Sequence, residues 1–600
     1  MCGIAGWVDR ERDLRLERET GERMTATMAC RGPDDEGLWA GPHALLGHRR
    51  LAIIDLEGGV QPMREDAGAP VVLVFSGEVY NFTELREELR GRGHRFTTRS
   101  DTEVVLRAYL TWGVDAVRRL NGMFAFAIWD GRSETLLLAR DRLGIKPLYY
   151  AESGTGLLFG SEPKAILAHP GFEPEIDEQG LAELVGMWPF TTPGEAVYRG
   201  MRELLPGHVL VHRPEGTALR RYWHLESRPH TDGFDETTRN VRDLLEDAVG
   251  RQLIADVQLC TLVSGGLDSS TITALAAGRQ GNGKLATFSV DYRGSRDDFQ
   301  AHRDTPTLDA PYVARMVEHL GTQHTDVVLD TGDMTAHEET VVRARDLPSM
   351  GNIDISLLLL FRAVRRQSTV ALSGESADEV FGGYPWHTDP ASGTFPWLVT
   401  GYEYPWLHPT LVHILKLKDY VRDRYSDAVA EVPRLAGESA EERSRREITY
   451  LGLTRHLPAL LNRKDRMSMT VGLEVRVPYC DHRLVEYMWN VPWEMKAAGG
   501  QEKALLRHAA TGLLPEEVRS RTKSRYPSPQ GAAYQKAVWD RIEALLHDRE
   551  SPLRPLLNVP FLTWLVDRVR ESPASPQWTM QLSSFLSFDT WLRMYKVRIR

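Results

Sequence analysis

Ser264 to Ser270 reads SGGLDSS. It follows the apolar run Leu259 to Val263, which predicts a buried strand. It leads into Leu267 to Ala277, whose apolar and small residues predict a packed helix. Adjacent glycines allow a sharp turn and bring backbone N–H groups close to a ligand, and the helix start adds partial positive charge. Ser264, Gly265, Gly266 and Ser269 therefore form a candidate oxyanion cradle, with Ser270 as a third hydroxyl. A phosphate chain also needs a cation, and Asp268 is the carboxylate positioned to hold magnesium.

A second strand-to-turn unit supports the first. Thr369 to Leu372 leads into SGESADEVFGGY, Ser373 to Tyr384, which carries Glu375, Asp378 and Glu379. In an open parallel sheet, ligands sit beyond the carboxyl ends of the strands, so two such loops can face one site. The pair resembles the ATP-pyrophosphatase core of the asparagine synthetase family. The spacing GxxxxGK[ST] is missing, which argues against P-loop transfer of a γ-phosphate. Downstream, DRMSM (Asp465 to Met469), GLEVRVPYCD (Gly472 to Asp481) and QEKALLR (Gln501 to Arg507) extend the likeness. The resemblance implies that Leu262, Val290, Ser373 and Gly374 contact ATP with the cradle residues, while Asp268 and Asp378 serve Mg²⁺ and pyrophosphate. It makes Glu375 the base at the acyl centre and Lys503 the lysine that offsets charge as an adenylate forms.

The chain begins MCGIAG. Removal of Met1 would give Cys2 a free α-amine beside its thiol, and with a reference pKa of about 7.7 to 8.0 that amine can accept the thiol proton. RGPDDEG (Arg31 to Gly37), GHRRLAIIDL (Gly47 to Leu56), SGEVYN (Ser76 to Asn81), SDTEV (Ser100 to Val104), GMFAFAIWD (Gly122 to Asp130) and ARDRLGIKPLYY (Ala139 to Tyr150) follow. Together they resemble a class II glutamine amidotransferase domain. The resemblance implies Cys2 as nucleophile, Arg50 for the glutamine carboxylate, Asp101 for its ammonium, and Gly77 and Glu78 in the same pocket. The family's oxyanion hole is an asparagine and a glycine; here the matching residues are Ser76 and Gly77, so a shorter hydroxyl replaces an amide.

Charge and cysteine content bound the remainder. The net charge of −10 argues against a nucleic-acid polymer as the main partner. The basic cluster Arg519 to Arg525 reads as a solvated face, with contact to a nucleotide as the alternative. Four cysteines without metal or disulfide spacing fit a reducing cytoplasm. The N-terminus has no basic leader followed by an apolar stretch, so neither export nor membrane insertion is expected.

The expected architecture has two domains. Residues 2–215 form a glutaminase domain, rich in strands such as Val71 to Phe75 and Phe124 to Trp129, which the family folds as an αββα sandwich of antiparallel sheets. The polar stretch His224 to Asp235 is the linker. Residues 236–600 form an α/β domain with a parallel sheet. Expected ligands are glutamine, ATP, Mg²⁺ and a small carboxylate, aspartate by default, with a homodimer left open. The resemblance makes the chain a ligase that adenylates a carboxylate and aminates it with glutamine-derived ammonia. Where the family reads RASTP before the second ATP loop, this chain has SMGNIDIS, Ser349 to Ser356, with Asn352 and Asp354 but no arginine. That departure, with the polar insertion Arg293 to Thr307, keeps another carboxylate, or a cyclisation without ammonia, as a rival. Cys2, Arg50 and Asp101 argue against the cyclase. The intact Asp268, Glu375, Asp378 and Lys503 argue against a non-catalytic sensor.

Overall fold

The computed structural model describes residues 2–600 apart from 67, 155, 282–283, 300, 302–304, 389–392, 399–403, 528–531 and 572–575. Residues 300 and 302–304 of the insertion Arg293 to Thr307 thus lie outside the described residues, as does Met1.

Alternating small and branched residues build the N-terminal half. In Gly3–Val8, Ile4 and Val8 point to one face and Ala5 and Trp7 to the other. This strand is inside a six-stranded antiparallel sheet, next to Ala44–Arg50 and Gly156–Gly160. A second six-stranded antiparallel sheet centres on Val71–Val79, Gly122–Asp130 and Thr135–Arg140. The sheets share a core of Ile4, Leu46, Val72, Val74, Ala127, Leu138 and Phe159. The far side of the second sheet, Leu73 and Phe75 included, packs on Val104, Val105 and Leu89 of the helices Asp101–Trp112 and Phe82–Gly91. The result is the expected αββα layering.

Residues 224–233 contain neither helix nor strand, and the helix Phe234–Gln252 that opens the second half takes up the last two residues of the expected linker. Its sheet has five parallel strands in the spatial order Gln323–Leu329, Ala286–Tyr292, Leu259–Leu262, Val370–Leu372, Glu474–Arg476. The chain adds strands first to one side of Leu259–Leu262 and then to the other. The switch point therefore falls between Leu259–Leu262 and Val370–Leu372, and SGGLDSS and SGESADE both leave its carboxyl edge.

Buried charges join the halves. Arg31 Nη1 donates to Glu162 at 2.9 Å and to Asp465 at 2.7 Å, and Lys146 Nζ reaches Asp465 at 3.3 Å. Arg476 lies 3.7 Å from Glu78 and 2.6 Å from Glu474. Arg31, Asp465 and Arg476 are held as ions by these partners despite burial. A buried pair that loses one partner is strongly destabilising, so the network specifies how the halves dock.

Candidate functional sites

The first site gathers at the start of Gly3–Val8 and the end of Val71–Val79. Cys2 is 7% exposed, and its Sγ points toward the Leu51 carbonyl at 4.0 Å. Burial raises the thiol pKa, Arg50 pulls it down and Glu78 pushes it up. Arg50 and Glu78 are thus close enough for their charges to act on the thiol. Arg50 donates to the carbonyls of Leu56 and Asp55, both at 2.7 Å, so it also holds the loop that flanks the site. Asp101 opens its helix behind the Ser100 cap and accepts from the Val79 N–H at 2.9 Å. Burial raises its pKa to about 6.

Gly77 has φ +150°, and a Cβ there would lie 2.1 Å from the Met123 carbonyl oxygen, so no side chain fits. Ser76 departs from its expected part. Its hydroxyl donates to the Cys2 carbonyl at 2.7 Å, where Arg31 Nε also donates at 3.1 Å. A hydroxyl has one proton, and here that proton goes to the Cys2 backbone carbonyl.

The second site is a cavity of about 250 Å³ at the switch point. Leu262, Ser264, Gly266, Asp268, Ser269, Val290, Ser373, Gly374, Glu375, Asp378 and Lys503 all line it. Gly265 supplies the turn: at φ +66°, an added Cβ would meet Tyr312 Cβ at 2.5 Å. Ser264 and Ser269 bond to each other at 3.0 Å, whereas Ser270 is fully buried and does not reach the cavity. That corrects its reading as a third donor, because a residue one step along the helix from Ser269 turns about 100° away.

Lys503 bridges the two loops, 2.8 Å from both Asp268 oxygens and 2.9 Å from Asp378 Oδ1. The two carboxylates raise its pKa despite burial. Asp378 also pairs with Lys523 and is held well below the usual carboxylate range despite burial, while burial raises Asp268. Lys464 Nζ lies 2.6 Å from Glu375 and donates to Ser373 Oγ at 3.1 Å. This keeps Glu375 ionised despite burial. Arg521 holds Asp309 at 2.7 Å and the Ser264 carbonyl at 3.1 Å.

Lys464, Arg521 and Lys523 were not singled out from the sequence. Arg521 and Lys523 lie in the basic cluster read as a solvated face with nucleotide contact as the alternative; the solvated reading holds for Arg519, which pairs with its helix neighbour Glu516, whereas Arg521, Lys523 and Arg525 line the cavity. Lys464 directly precedes the DRMSM motif, which was its only signal.

Residues 240–593 match the family model described as asparagine synthase, and residues 1–223 match a glutamine amidotransferase domain. The chain is 44% identical to asparagine synthetase (glutamine-hydrolyzing) 3 of Bacillus subtilis, over 100% of both chains. It is 30% identical to asparagine synthetase (glutamine-hydrolyzing) 1 of the same organism, covering 88% of this chain and 87% of that one. Among solved structures, glutamine phosphoribosylpyrophosphate amidotransferase from B. subtilis shares 19% identity and a TM-score of 0.29, over 55% of this chain and 81% of that one.

Proposed function

Because the chain belongs to the glutamine-hydrolysing asparagine synthetase family of ATP-dependent ligases, we propose that it converts aspartate to asparagine. Glutamine supplies the nitrogen and ATP is cleaved to AMP and pyrophosphate. We divide the labour between residues 2–215, which release ammonia, and 236–600, which activate the carboxylate. The observation that carries this reading is the pairing of two built sites in one chain: Cys2 with Arg50, Glu78 and Asp101, and the switch-point cavity with Asp268, Asp378 and Lys503.

In the first site, the thiolate of Cys2 attacks the glutamine amide, with its α-amine as proton acceptor once Met1 is removed. Arg50 and Asp101 hold the two charged ends of the amino acid. The Gly77 N–H receives the developing oxyanion, and Ser76 and Arg31 keep the Cys2 backbone in position. Departure of ammonia leaves an acyl-enzyme, which water hydrolyses to glutamate.

In the second site, a carboxylate oxygen attacks the α-phosphorus of ATP and pyrophosphate leaves. Lys503 and Lys523, held by Asp378, face that departing charge. Among the described residues no group of three His, Cys, Asp or Glu side chains gathers as a metal cage. Two carboxylates, Asp268 and Asp378, do converge on one ammonium, and this donor set fits Mg²⁺, which binds through one or two carboxylates together with phosphate oxygens. Asp268 and Asp378 would hold the ion, and it would neutralise phosphate charge. Glu375, ionised against Lys464, accepts a proton as ammonia adds to the acyl-adenylate and AMP leaves.

The described helices include none long and apolar enough to cross a membrane, and the four cysteines are free. Both facts accord with a cytoplasmic reaction. Glutamine labelled in its amide nitrogen, ATP and a panel of carboxylates test the reading. AMP, pyrophosphate and labelled asparagine should form in equal amounts with aspartate. ADP in place of AMP, or no dependence on any carboxylate, would overturn it.

A further inference from the structure

Lys503 and Lys523 both line the cavity, but they are held differently. Lys503 is engaged by carboxylates, with both Asp268 oxygens at 2.8 Å and Asp378 Oδ1 at 2.9 Å. Lys523 pairs with Asp378, yet its buried Nζ makes no hydrogen bond among the described residues. Its other neighbour is an aromatic face: Nζ lies 3.8 Å from the centroid of the Tyr384 ring. A ring attracts a cation through its quadrupole and adds no net negative charge. Lys523 therefore keeps its N–H donors for an anion in the cavity, where a second carboxylate would have engaged them.

Tyr384 is itself braced. Its hydroxyl donates to Glu379 Oε1 at 2.8 Å, and the same oxygen lies 3.0 Å from His456 Nδ1. Glu379 and His456 are both buried. His456 also stands edge-on to the tyrosine ring at 5.3 Å, and Trp386 stacks on that ring at 4.3 Å. Gly383 lets the chain return this closely, because a Cβ there would lie 2.0 Å from Asp378 Oδ1. Asp378 and Glu379 are successive residues of the short helix Ala377–Phe381 and point about 100° apart, so one faces the cavity and the next faces the brace. His456 closes a π-helical turn, Gly452–His456, a distortion that occurs frequently at functional sites. The helix that follows, Leu457–Met469, carries Lys464 to Glu375. Consecutive turns of one rod thus anchor the SGESADE loop twice, at Glu375 and at Glu379.

We propose that Tyr384, fixed by Glu379 and His456, is the positioning residue that seats Lys523 over the cavity to meet the departing pyrophosphate. The inference rests on the synthetase reading above and adds three residues to it, none of which lines the cavity. Asp378 is one of the two carboxylates that fit Mg²⁺, and it already serves Lys503. The ring is the partner of Lys523 that no other group in the site draws on, so it keeps the ammonium in place when Asp378 is engaged elsewhere. It does so without repelling a polyanion, as a carboxylate in its position would.

The test uses the full-length parent, Tyr384→Leu, Tyr384→Phe, Lys523→Met and the double variant Tyr384→Leu/Lys523→Met. Calorimetry with inorganic pyrophosphate and Mg²⁺ reads binding, and AMP release with aspartate reads turnover. Tyr384→Leu should raise the pyrophosphate Kd and lower kcat by about tenfold each, with the KM for aspartate unchanged. Tyr384→Phe keeps the ring and should stay within about threefold of the parent. The double variant should bind pyrophosphate no more weakly than Lys523→Met alone, because Tyr384 acts only through Lys523. Glu379→Gln loosens the brace from its other end, and it should weaken pyrophosphate binding in the parent but not in the Lys523→Met background; this pair decides the matter should Tyr384→Leu fail to fold. Additive losses in either double variant would mean a general structural role and overturn the proposal. Unchanged pyrophosphate binding in Tyr384→Leu, or none in the parent, would overturn it too. The expected binding pattern in a parent that forms no AMP would keep the brace and sink the synthetase reading.

Discussion

Replacing Ser76 with alanine removes one hydroxyl from a position that is 1% exposed and bonded to the Cys2 carbonyl at 2.7 Å. That carbonyl keeps a second donor, Arg31 Nε at 3.1 Å, so it is not stranded. The loss is then the net value of one neutral hydrogen bond, about 0.5–1.5 kcal/mol. If that energy holds the thiolate in its attack geometry, glutaminase kcat should fall about two- to tenfold, with little change in KM for glutamine. Ser76→Thr keeps the hydroxyl and should retain most of the rate. The assay is glutamate release at saturating glutamine, with synthesis from ammonium salts as the control for folding. An unchanged kcat in Ser76→Ala would refute a positioning role. A fall beyond about a hundredfold would also refute it, since one positional bond does not supply that much, and would return the hydroxyl to the oxyanion itself.

Cys2→Ala should abolish glutamate formation yet leave ammonia-dependent synthesis, because the thiol serves only the first site; parental glutaminase in this variant would rule out the nucleophile. Asp378→Asn should stop AMP formation even with ammonia supplied: it removes a carboxylate that holds both Lys503 and Lys523, and pyrophosphate release at more than about a tenth of the parental rate would contradict this. The pH profile carries the mark of Asp101, whose folded pKa is raised from 3.8 to about 6 by burial. Its proton is bound more tightly in the folded chain, so its contribution to stability is full below pH 3.8 and is lost as pH rises through about 6. Function runs the other way: the ionised carboxylate must meet the glutamine ammonium, so the acid limb of kcat/KM should steepen near pH 6. Asp101→Asn should lower kcat/KM and erase that extra slope, and an unaltered limb would remove Asp101 from glutamine binding.

Local chemistry was enough to find much of this molecule. SGGLDSS and SGESADE each join an apolar run to a glycine turn and a helix start, and such units are legible because strand, turn and cradle are contiguous in the chain. The alternation in Gly3–Val8 and Val71–Val79 likewise declares two-faced strands before any partner is known. Cys2 and Asp268 could be read from their own chemistry, whereas Gly77, Asp378 and Lys503 were named through the resemblance of their motifs to the family's.

What required tertiary structure was every contact between distant segments. Lys464 and Glu375 are far apart in the chain but 2.6 Å apart in space, and Lys523 meets Asp378 through a similar separation. A basic residue in sequence has no declared partner, so Arg521 and Lys523 looked like surface cations until the sheet carried the loops to them. The same holds for Ser76. Its position in a motif suggested a bond to substrate, but a hydroxyl donates only once. Only the folded backbone, which brings the Cys2 carbonyl to 2.7 Å, decides where that proton goes.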